Sequence, residues 1–543
     1  MLDLDKVIIG RRDFLRGTMA VSAAAFCLPG SAFAEDAAKP QVLGGTPQKG
    51  GILTFNYQSD PPNFDPLSNS TSRTLYSIAP CYNSLVMYDP KDPTKIIGDL
   101  AKSWDFAPDG RKLTFKIIEN AKFHDGVPLT AADVKFSFDL VRNPPEGVVS
   151  VRKSALSAVQ DINILDDYTI EFVLNAPSPS LLTNLATGWM LVLPKHFVEG
   201  GGDLKKTVLG SGPFKFKNYQ TGVSVELERN PDYHIPDKPY LDGITYYIVP
   251  DPSTVYSYFR TGQILVYESL QGEDSRRAEK EFGDKILIQG TPSYGFSSLV
   301  FNVSKAPWDD VRVRKALNLA IDRREALKVL RQNDGYLGGL MPAQGKWAQS
   351  DEQLAKLPGF AADREADLAA ARQLLKEAGH EGGISTKLMT KRGASYEALA
   401  IFLIDQLSKV GVNATLDLQE DAVAYDNLTT QKFELGAWEQ TVNADDPDAV
   451  FGELYTCKGG RNFSGLCNAK IDELFAQQTS ELDEAKRHEL VKAMELAAME
   501  DAGRVILFWR KSFLGQSRRV HDLLRHPQMD NNRRMQEVWL SEA

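Results

Sequence analysis

The sequence is poor in the features that mark catalytic and metal-binding proteins. Of its 543 residues only 7 are histidine and 4 are cysteine, which argues against a polyhistidine metal site. It contains no Gly-x-Ser-x-Gly nucleophile elbow, no His-Glu-x-x-His zinc motif and no Gly-x-Gly-x-x-Gly nucleotide loop. These absences predict a protein that is not an enzyme and that needs no cofactor and no metal.

An excess of basic charge is also missing. The 62 Lys and Arg residues are outnumbered by 72 Asp and Glu residues, for a formal net charge of −10. Nucleic acid and anionic lipid both reward clustered Lys and Arg, so neither is expected as a main partner. No apolar run reaches the roughly 20 residues that a membrane-spanning helix needs.

The N-terminal segment carries the pattern of an export signal. Arg11 and Arg12 precede an apolar run from Thr18 to Leu28, and Ala32 and Ala34 supply small residues before a cleavage site. Paired arginines, a short apolar run and this ending are typical of a twin-arginine signal peptide. We therefore expect residues 1–34 to be removed after Ala34 and the mature protein to be periplasmic.

What the chain does contain is a mixture of helix and strand patterns. Its length exceeds what one hydrophobic core serves, so two or more domains are expected. Leu113–Ile118 and Tyr168–Leu174 alternate as strands, and Thr130 with Asp133 forms a capping box before a helix. Further on, SYEALAIFLIDQLSKVG predicts a helix closed by Gly411, and VNATLDL predicts the next strand of a β-α-β unit. The fold class is therefore α/β.

One segment resembles a known family closely. It is DLAKSWDFAPDGRKLTFKIIENAKFHDGVPLTAADVKFSF, from Asp99 to Phe138. Similar segments run along the chain in the same order, among them GGILTFNYQSDPPNFDP from Gly50, GSGPFKFKNY from Gly210 and FNVSKAPWDDVRVRKALNLAIDR from Phe301. The chain resembles the extracellular solute-binding proteins of ATP-driven importers, in the peptide, nickel and opine subgroup called family 5.

The resemblance implies the two-lobed periplasmic binding protein fold, type II, cluster C, with an extra subdomain inserted in lobe I. Transferred to this sequence, lobe I comprises residues 47–73, 189–290 and 508–543. The inserted subdomain comprises residues 74–188, and lobe II comprises residues 291–507. Two lobes joined by crossing strands can close over a solute by a hinge motion.

The resemblance also implies the function. The protein would capture a small solute, by default a peptide, and deliver it as a monomer to an ABC permease in the cytoplasmic membrane. An opine, a sugar conjugate or a nickel chelate are alternative solutes for the same role. A secreted hydrolase lacks motif support here, and a chaperone would bind no small ligand saturably.

The segment Leu435–Phe451 is the first candidate for the solute site. In peptide-binding relatives a Trp is followed closely by an Asp that pairs with the ligand's α-amino group, and then by a Pro. Here Trp438 is present, but the third residue after it is Thr441. Counting back from Pro447 leads to Asn443 instead, because the spacing is about two residues longer. The family's ammonium anchor is therefore displaced in this chain.

Asp445 and Asp446 are possible substitutes for that anchor. A carboxylate removed from water attracts an ammonium strongly. Acidic residues and Pro also suit the first turn of a helix, so the DDPD segment has a second interpretation as the cap of a helix that begins near Pro447. The sequence leaves both interpretations open.

Arg392 falls where dipeptide-binding relatives place an Arg that holds the ligand's carboxylate. Its planar fork can donate two parallel hydrogen bonds, which Lys391 cannot do. The other interpretation is an exposed Arg in a strand-to-helix loop. Tyr57, Tyr294 and Trp438 are candidates for the wall of the cleft, since aromatic rings offer rigid surface with a polar tip.

The cysteines suggest one disulfide. Cys457 and Cys467 flank the short segment KGGRNFSGL, and an oxidising compartment favours their pairing. Some dipeptide-binding relatives have a Cys pair at a similar place. The loop offers neither His nor an acid as a further metal ligand. Cys81 is expected to be a buried free thiol.

Overall fold

A computed structural model of the chain describes residues 43–68, 71–146, 150, 152–528, 530–531 and 533–542. The predicted export signal, residues 1–34, lies outside the described residues. The strands are β1 (Ile52–Tyr57), β2 (Val86–Asp89), β3 (Asp92–Gly98), β4 (Ala101–Phe106), β5 (Lys112–Ile117), β6 (Val159–Asp166), β7 (Thr169–Leu174), β8 (Phe214–Gln220), β9 (Ser224–Arg229), β10 (Gly243–Ile248), β11 (Val266–Leu270), β12 (Ile286–Phe301), β13 (Gly335–Tyr336), β14 (Ile384–Lys391), β15 (Val412–Gln419), β16 (Leu435–Thr441), β17 (Arg504–Ser517), β18 (Val520–His521) and β19 (Trp539–Leu540).

The α-helices alternate with these strands. They are α1 (Ser72–Ile78), α2 (Ala131–Arg142), α3 (Ser180–Leu185), α4 (Lys195–Glu199), α5 (Pro252–Thr261), α6 (Gly272–Phe282), α7 (Val311–Ala320), α8 (Arg323–Arg331), α9 (Asp351–Leu354), α10 (Arg364–Glu377), α11 (Ala394–Ser408), α12 (Asp421–Thr429), α13 (Ala469–Ser480) and α14 (Glu484–Asp501). Short 3₁₀ turns lie at Ala79–Cys81, Lys153–Leu156 and Gly283–Lys285, and a π-helical turn at Asp448–Gly452.

Two long strands organise the largest sheet, which has eleven strands in the order β15-β14-β16-β12-β17-β11-β1-β10-β9-β8, with β13 also paired to β17. β12 and β17 are antiparallel neighbours of 16 and 14 residues. The last residues of β12 also pair with β16, and the last residues of β17 pair with β11. Because each reaches both halves of the sheet, we call β12 and β17 the crossing strands. Their register is interrupted between Pro292 and Phe296.

The crossing strands lie between two halves of the large sheet, and a second, four-stranded sheet forms a third packed region. We call the half with β1 and β8–β11 lobe I, the half with β14–β16 lobe II, and the four-stranded sheet β4-β5-β7-β6 with α2 the inserted subdomain. Each region has its own hydrophobic cluster, represented by Phe55, Leu227 and Ile244 in lobe I, by Leu317, Leu403 and Leu507 in lobe II, and by Phe115, Phe138 and Phe172 in the inserted subdomain. The β2–β3 hairpin packs on the last cluster through Val86 and Tyr88. The predicted lobe boundaries near residues 290 and 507 fall within β12 and β17.

Local signals in the sequence correspond to the observed elements. Thr130 and Asp133 form the capping box of α2, each accepting from the other's backbone. Asp322 caps α8 by accepting from the Glu325 N–H. β14 and β15 are parallel neighbours joined by α11, and Gly411 adopts φ +85° after that helix, as a glycine in the left-handed region can. The predicted β-α-β unit is therefore present.

Candidate ligand-binding site

Among the described residues, two adjoining cavities lie at the interrupted stretch of β12. The first, which we call the aromatic cavity, has a volume of about 330 Å³ and is lined by Tyr88, Tyr294, Trp347 and Asp445 among others. The second, the guanidinium cavity, has a volume of about 440 Å³ and is lined by Arg331, Arg510 and Arg525 among others. Pro527 lines both, so the two cavities adjoin. Each is within the roughly 300–1,000 Å³ typical of small-ligand sites.

The aromatic cavity collects residues from three parts of the chain. Tyr88 comes from the hairpin on the inserted subdomain, Tyr294 from the interrupted stretch of β12, and Asp445 from the loop after β16. Neither tyrosine hydroxyl hydrogen-bonds to any residue that the structure describes. The cavity therefore presents two phenol groups and a carboxylate from separate regions, which is an arrangement suited to contact with a solute.

Asp445 is an acid of this cavity with an open acceptor. Its Oδ2 accepts from the Lys346 N–H at 2.5 Å, whereas its buried Oδ1 has no partner among the described residues. Burial raises the pKa of Asp445 to about 7, the Lys346 N–H opposes this rise, and the charge of Asp446 adds to it. A Cβ on Gly345 would lie 2.4 Å from Oδ2, so a glycine is needed for the carboxylate to rest there.

Asp446 has a different environment from its neighbour. Its carboxylate forms a 2.9 Å ion pair with Arg487, and its Oδ1 accepts from the Ser180 hydroxyl at 2.7 Å. Arg487 Nη2 also donates to Ser180 Oγ at 2.8 Å, and Asp446 accepts from the Asp448 N–H at 3.0 Å. Asp446 therefore joins α3 of the inserted subdomain to α14 and caps the turn after Pro447. These contacts leave it no open acceptor comparable to that of Asp445.

Two arginines that line the guanidinium cavity share one buried carboxylate. Glu439, on β16, receives hydrogen bonds from Arg331 at 2.5 Å and from Arg510 at 3.4 Å. Arg510 Nη2 also donates to Thr441 Oγ1 at 3.0 Å. Burial lowers the pKa of Arg510, and the Glu439 charge opposes this shift. On the lobe I wall, Glu268 is paired with Arg533.

The structure brings only some of the predicted residues to these cavities. Tyr294, Asp445 and Asp446 line the aromatic cavity, and Thr441 lines the guanidinium cavity. Trp438 lines neither; it is buried beside Tyr396, with ring centroids 5.5 Å apart.

Tyr57, Asn443 and Arg392 also line neither cavity. Tyr57 is buried and stacked on Tyr246 at 4.6 Å between ring centroids, and Asn443 is exposed. Arg392 has a side chain that is 61% exposed, and its Nε donates to Glu420 at 2.5 Å. Arg392, the expected carboxylate anchor, thus lies at the surface between the end of β14 and the start of α11, beside the Glu420 that follows β15.

Arg331, Arg510 and Glu439 were not among the sequence-based candidates. A signal for one of them does exist: Arg510 and Lys511 interrupt the apolar strand RVILFWRKSFLG. Charged residues in the middle of a buried strand require compensation or a function. Their proximity to Glu439, 71 residues away from Arg510 in sequence, could only come from the fold.

The second lobe contains a disulfide. Cys457 and Cys467 are bonded with 2.02 Å between their sulfur atoms, and Cys81 is a buried free thiol. Arg461, inside the disulfide loop, donates to the Thr441 carbonyl at 3.0 Å. The loop therefore supports the end of β16 that borders the guanidinium cavity.

Two further features bear on function. Within the described ranges, no three His, Cys, Asp or Glu side chains come together as a metal-binding group. Among the described residues, every helix is too short or too polar to span a lipid bilayer.

Comparison with known proteins decides the family. The family model described as bacterial extracellular solute-binding proteins, family 5 Middle, matches residues 95–462, which is more than half of the chain. The chain belongs to this family of bacterial extracellular solute-binding proteins. Its members bind solutes and are not enzymes, which confirms that part of the sequence-based prediction.

Individual relatives agree with this assignment. The chain is 26% identical over 486 residues to the dipeptide-binding protein of Escherichia coli, covering 84% of this chain and 88% of the relative. It is 25% identical over 511 residues to the oligopeptide-binding protein AppA of Bacillus subtilis, covering 90% and 91%. Among solved structures, the ABC transporter substrate-binding protein CtaP of Listeria monocytogenes superposes with a TM-score of 0.78 at 25% identity, covering 91% of this chain and 100% of that one. The two-lobed type II, cluster C fold is thereby confirmed.

Proposed function

We propose that this family 5 protein is the periplasmic binding component of an ABC importer and that its solute is a short peptide. The solute enters between the two lobes and is passed to a permease in the cytoplasmic membrane. The peptide preference is supported by the relatives in Escherichia coli and Bacillus subtilis, which are named for dipeptide and oligopeptide binding. Export through residues 1–34, with cleavage after Ala34, and a monomeric state complete the proposal.

The observation that carries the proposal is the polarity of the two adjoining cavities. The aromatic cavity is lined by four acidic and two basic side chains, whereas the guanidinium cavity is lined by five basic and three acidic ones. A short peptide is a zwitterion at neutral pH, with an ammonium and a carboxylate separated by a few ångströms per residue. Two adjoining cavities of opposite polarity suit such a solute.

Asp445 is the proposed contact for the solute's ammonium. Its Oδ1 is buried without a hydrogen bond, and an unsatisfied buried acceptor costs roughly 1–3 kcal/mol. An ammonium has three donors, so it can satisfy Oδ1 together with the hydroxyls of Tyr88 and Tyr294. Asp445 is thus the substitute for the family anchor that Thr441 does not provide.

A non-peptide solute is a second candidate because of Thr441 itself. Peptide-binding relatives carry an acid at this position, whereas here the Thr441 hydroxyl accepts from Arg510 at 3.0 Å. A cationic group therefore occupies the place where an acid would attract an ammonium. This substitution favours an acidic solute such as an opine or a sugar acid.

A thermal-shift screen with chemically blocked peptides tests the proposal. Trialanine should raise the melting temperature of the mature protein, because a ligand that binds only the folded state stabilises it by mass action. N-acetyl-trialanine, which lacks the ammonium, should give a smaller shift. Asp445→Asn should abolish the difference between the two peptides, whereas Glu481→Gln, which alters another acid of the same cavity, should keep it. Stabilisation by opines or sugar acids and by no di- to pentapeptide would contradict the peptide proposal.

A further inference from the structure

Arg510 lines a part of the guanidinium cavity where positive charges outnumber negative ones. Arg331 and Arg510 share one carboxylate, that of Glu439, so the three groups together carry one positive charge. Lys511, the next residue of β17, has no ion-pair partner among the residues that the structure describes. Buried or half-buried cations without a counter-charge are costly, and a bound anion relieves that cost.

The hydrogen bonds of Arg510 leave capacity for a ligand. Its bond to Thr441 Oγ1 is 3.0 Å, but its bonds to Glu439 Oε2 and to the Gln440 carbonyl are both 3.4 Å long, at the limit for a hydrogen bond. Its Nε also has no partner among the described residues, but this atom is buried against Gly295, so the Nη atoms are the ones available to a ligand. The side chain is 27% exposed and lines the cavity. A guanidinium with long, replaceable bonds at a cavity wall can present its planar fork to a carboxylate.

Gly295 on the neighbouring crossing strand makes this position possible. A Cβ at residue 295 would lie 2.0 Å from Arg510 Nη2 and 2.5 Å from Nε. The guanidinium therefore rests directly on the β12 backbone, and any other residue at 295 would displace it. In the aromatic cavity, a Cβ on Gly345 would likewise clash with the Asp445 carboxylate.

From this geometry we infer that Arg510, resting on Gly295 and supported by Arg331 and Lys511, binds the carboxylate of the solute and selects for acidic ends. The inference rests on the proposed function only in that a solute enters between the lobes. It assigns the carboxylate to Arg510 instead of Arg392, whose side chain is 61% exposed beside Glu420. Arg510 is thus a specificity-determining residue.

Calorimetry with trialanine and trialanine amide tests the inference on the mature protein. The amide lacks only the carboxylate, so it should bind at least about 30-fold more weakly, the lower end of the range for removing one partner of a charged pair. Arg510→Gln should weaken trialanine to the level of the amide and leave the amide unchanged. Arg510→Lys should recover part of the preference, and Gly295→Ala should reduce it without removing the charge. Arg312→Gln, an exposed arginine paired with Asp310, should behave as the unmodified protein.

Several outcomes overturn the inference. One is equal binding of the acid and the amide, and another is an equal loss for both peptides in Arg510→Gln, which would indicate a purely structural role. A loss of the preference in Arg392→Gln would return the anchor to that residue. If no peptide binds, glutarate separates the two proposals. Binding of glutarate that depends on Arg510 would keep this inference and reject the peptide proposal, and no binding, or binding independent of Arg510, would reject the inference.

Discussion

The two cavities contain similar numbers of charged groups but differ in how those groups are paired. In the aromatic cavity both cations are paired to acids, Arg487 to Asp446 at 2.9 Å and Lys346 to Glu484 at 2.8 Å. The carboxylate of Asp445 has no such partner among the described residues. Beside the guanidinium cavity one carboxylate, Glu439, is shared by two of the lining arginines, Arg331 and Arg510. The difference shows that the polarity of a cavity depends on which charge is left over after internal pairing.

Burial strengthens the interaction of Asp445 and Arg510 with an opposite charge that enters the cavity. An exposed ion pair contributes little because water screens it, whereas a charge with restricted hydration interacts strongly with an opposite charge that enters. Asp445 and Arg510 each rest on a glycine backbone, where a side chain would clash. The positions of these two charged groups therefore depend on Gly345 and Gly295 as well as on Asp445 and Arg510 themselves.

The largest expected effect concerns Arg487 and Asp446, the buried ion pair of the aromatic cavity. Arg487→Met should lower the free energy of unfolding by roughly 3–5 kcal/mol, because it leaves the buried Asp446 without its counter-charge. Urea denaturation measures this. Lys346→Met is the matched control: its pair with Glu484 is about half exposed on both sides, so a change below about 1 kcal/mol is expected. Equal losses of unfolding free energy in both variants would mean that burial does not make the Asp446–Arg487 pair more important for stability than the exposed Lys346–Glu484 pair.

The second prediction concerns the pH dependence caused by Asp445. Its pKa in the folded protein is raised to about 7 by burial, against about 3.9 for an unperturbed aspartate. Between these values the folded state holds a proton that the unfolded chain has lost, so the free energy of unfolding falls as pH rises from about 4 to 7. The integrated loss is at most roughly 4 kcal/mol. Asp445→Asn should remove this part of the decline, as urea denaturation at several pH values would reveal.

The charged and titratable groups near Asp445 set the controls for that measurement. They are Lys346, Asp446, Tyr88, Tyr294, Arg487, Glu481 and Glu484. The tyrosines remain neutral over this interval because burial raises their pKa values. Bound trialanine should flatten the decline in the unmodified protein, since its ammonium stabilises the ionised carboxylate. Parallel pH curves for the unmodified protein and Asp445→Asn would contradict the assignment.

Much of the fold was predictable because its signals are local. The capping box of Thr130 and Asp133, the β-α-β unit before Gly411 and the family segments all depend on residues close together in sequence. Such patterns constrain backbone conformation directly. The paired crossing strands could not be found in this way, because β12 and β17 are separated by some two hundred residues and pair only in the folded chain.

The site was predictable only in part, for a related reason. Asp445 and Thr441 were selected from a single segment whose spacing departs from that of relatives. Arg510 was not selected, because its contacts with Glu439 and Gly295, which lie on other strands, form only in the folded chain. Residue type and spacing identify a candidate, but only tertiary pairing determines which charge remains unmatched.

The third prediction concerns the support of the guanidinium cavity. Replacing Cys457 and Cys467 together by Ser should lower the free energy of unfolding by roughly 2–3 kcal/mol, the value expected for a short closed loop. Arg461 in this loop holds the Thr441 carbonyl, so the preference for trialanine over its amide should shrink as well. The preference for trialanine over its N-acetyl derivative depends on Asp445 and should persist. Loss of both preferences would mean that the loop supports the whole cleft.

The smallest expected effect is at Arg392, which the resemblance predicts as the carboxylate anchor and which lies at the surface beside Glu420. Arg392 and Glu420 have side chains that are 61% and 71% exposed, so their ion pair is screened by water. Arg392→Gln should therefore change both the free energy of unfolding and the affinity for trialanine by less than about 0.5 kcal/mol. Calorimetry beside Arg510→Gln gives the direct comparison, since both variants remove one guanidinium and keep a polar side chain. A loss at Arg392 that exceeds the loss at Arg510 would show that the carboxylate is held where the family holds it, and that the excess positive charge beside Glu439 serves another purpose.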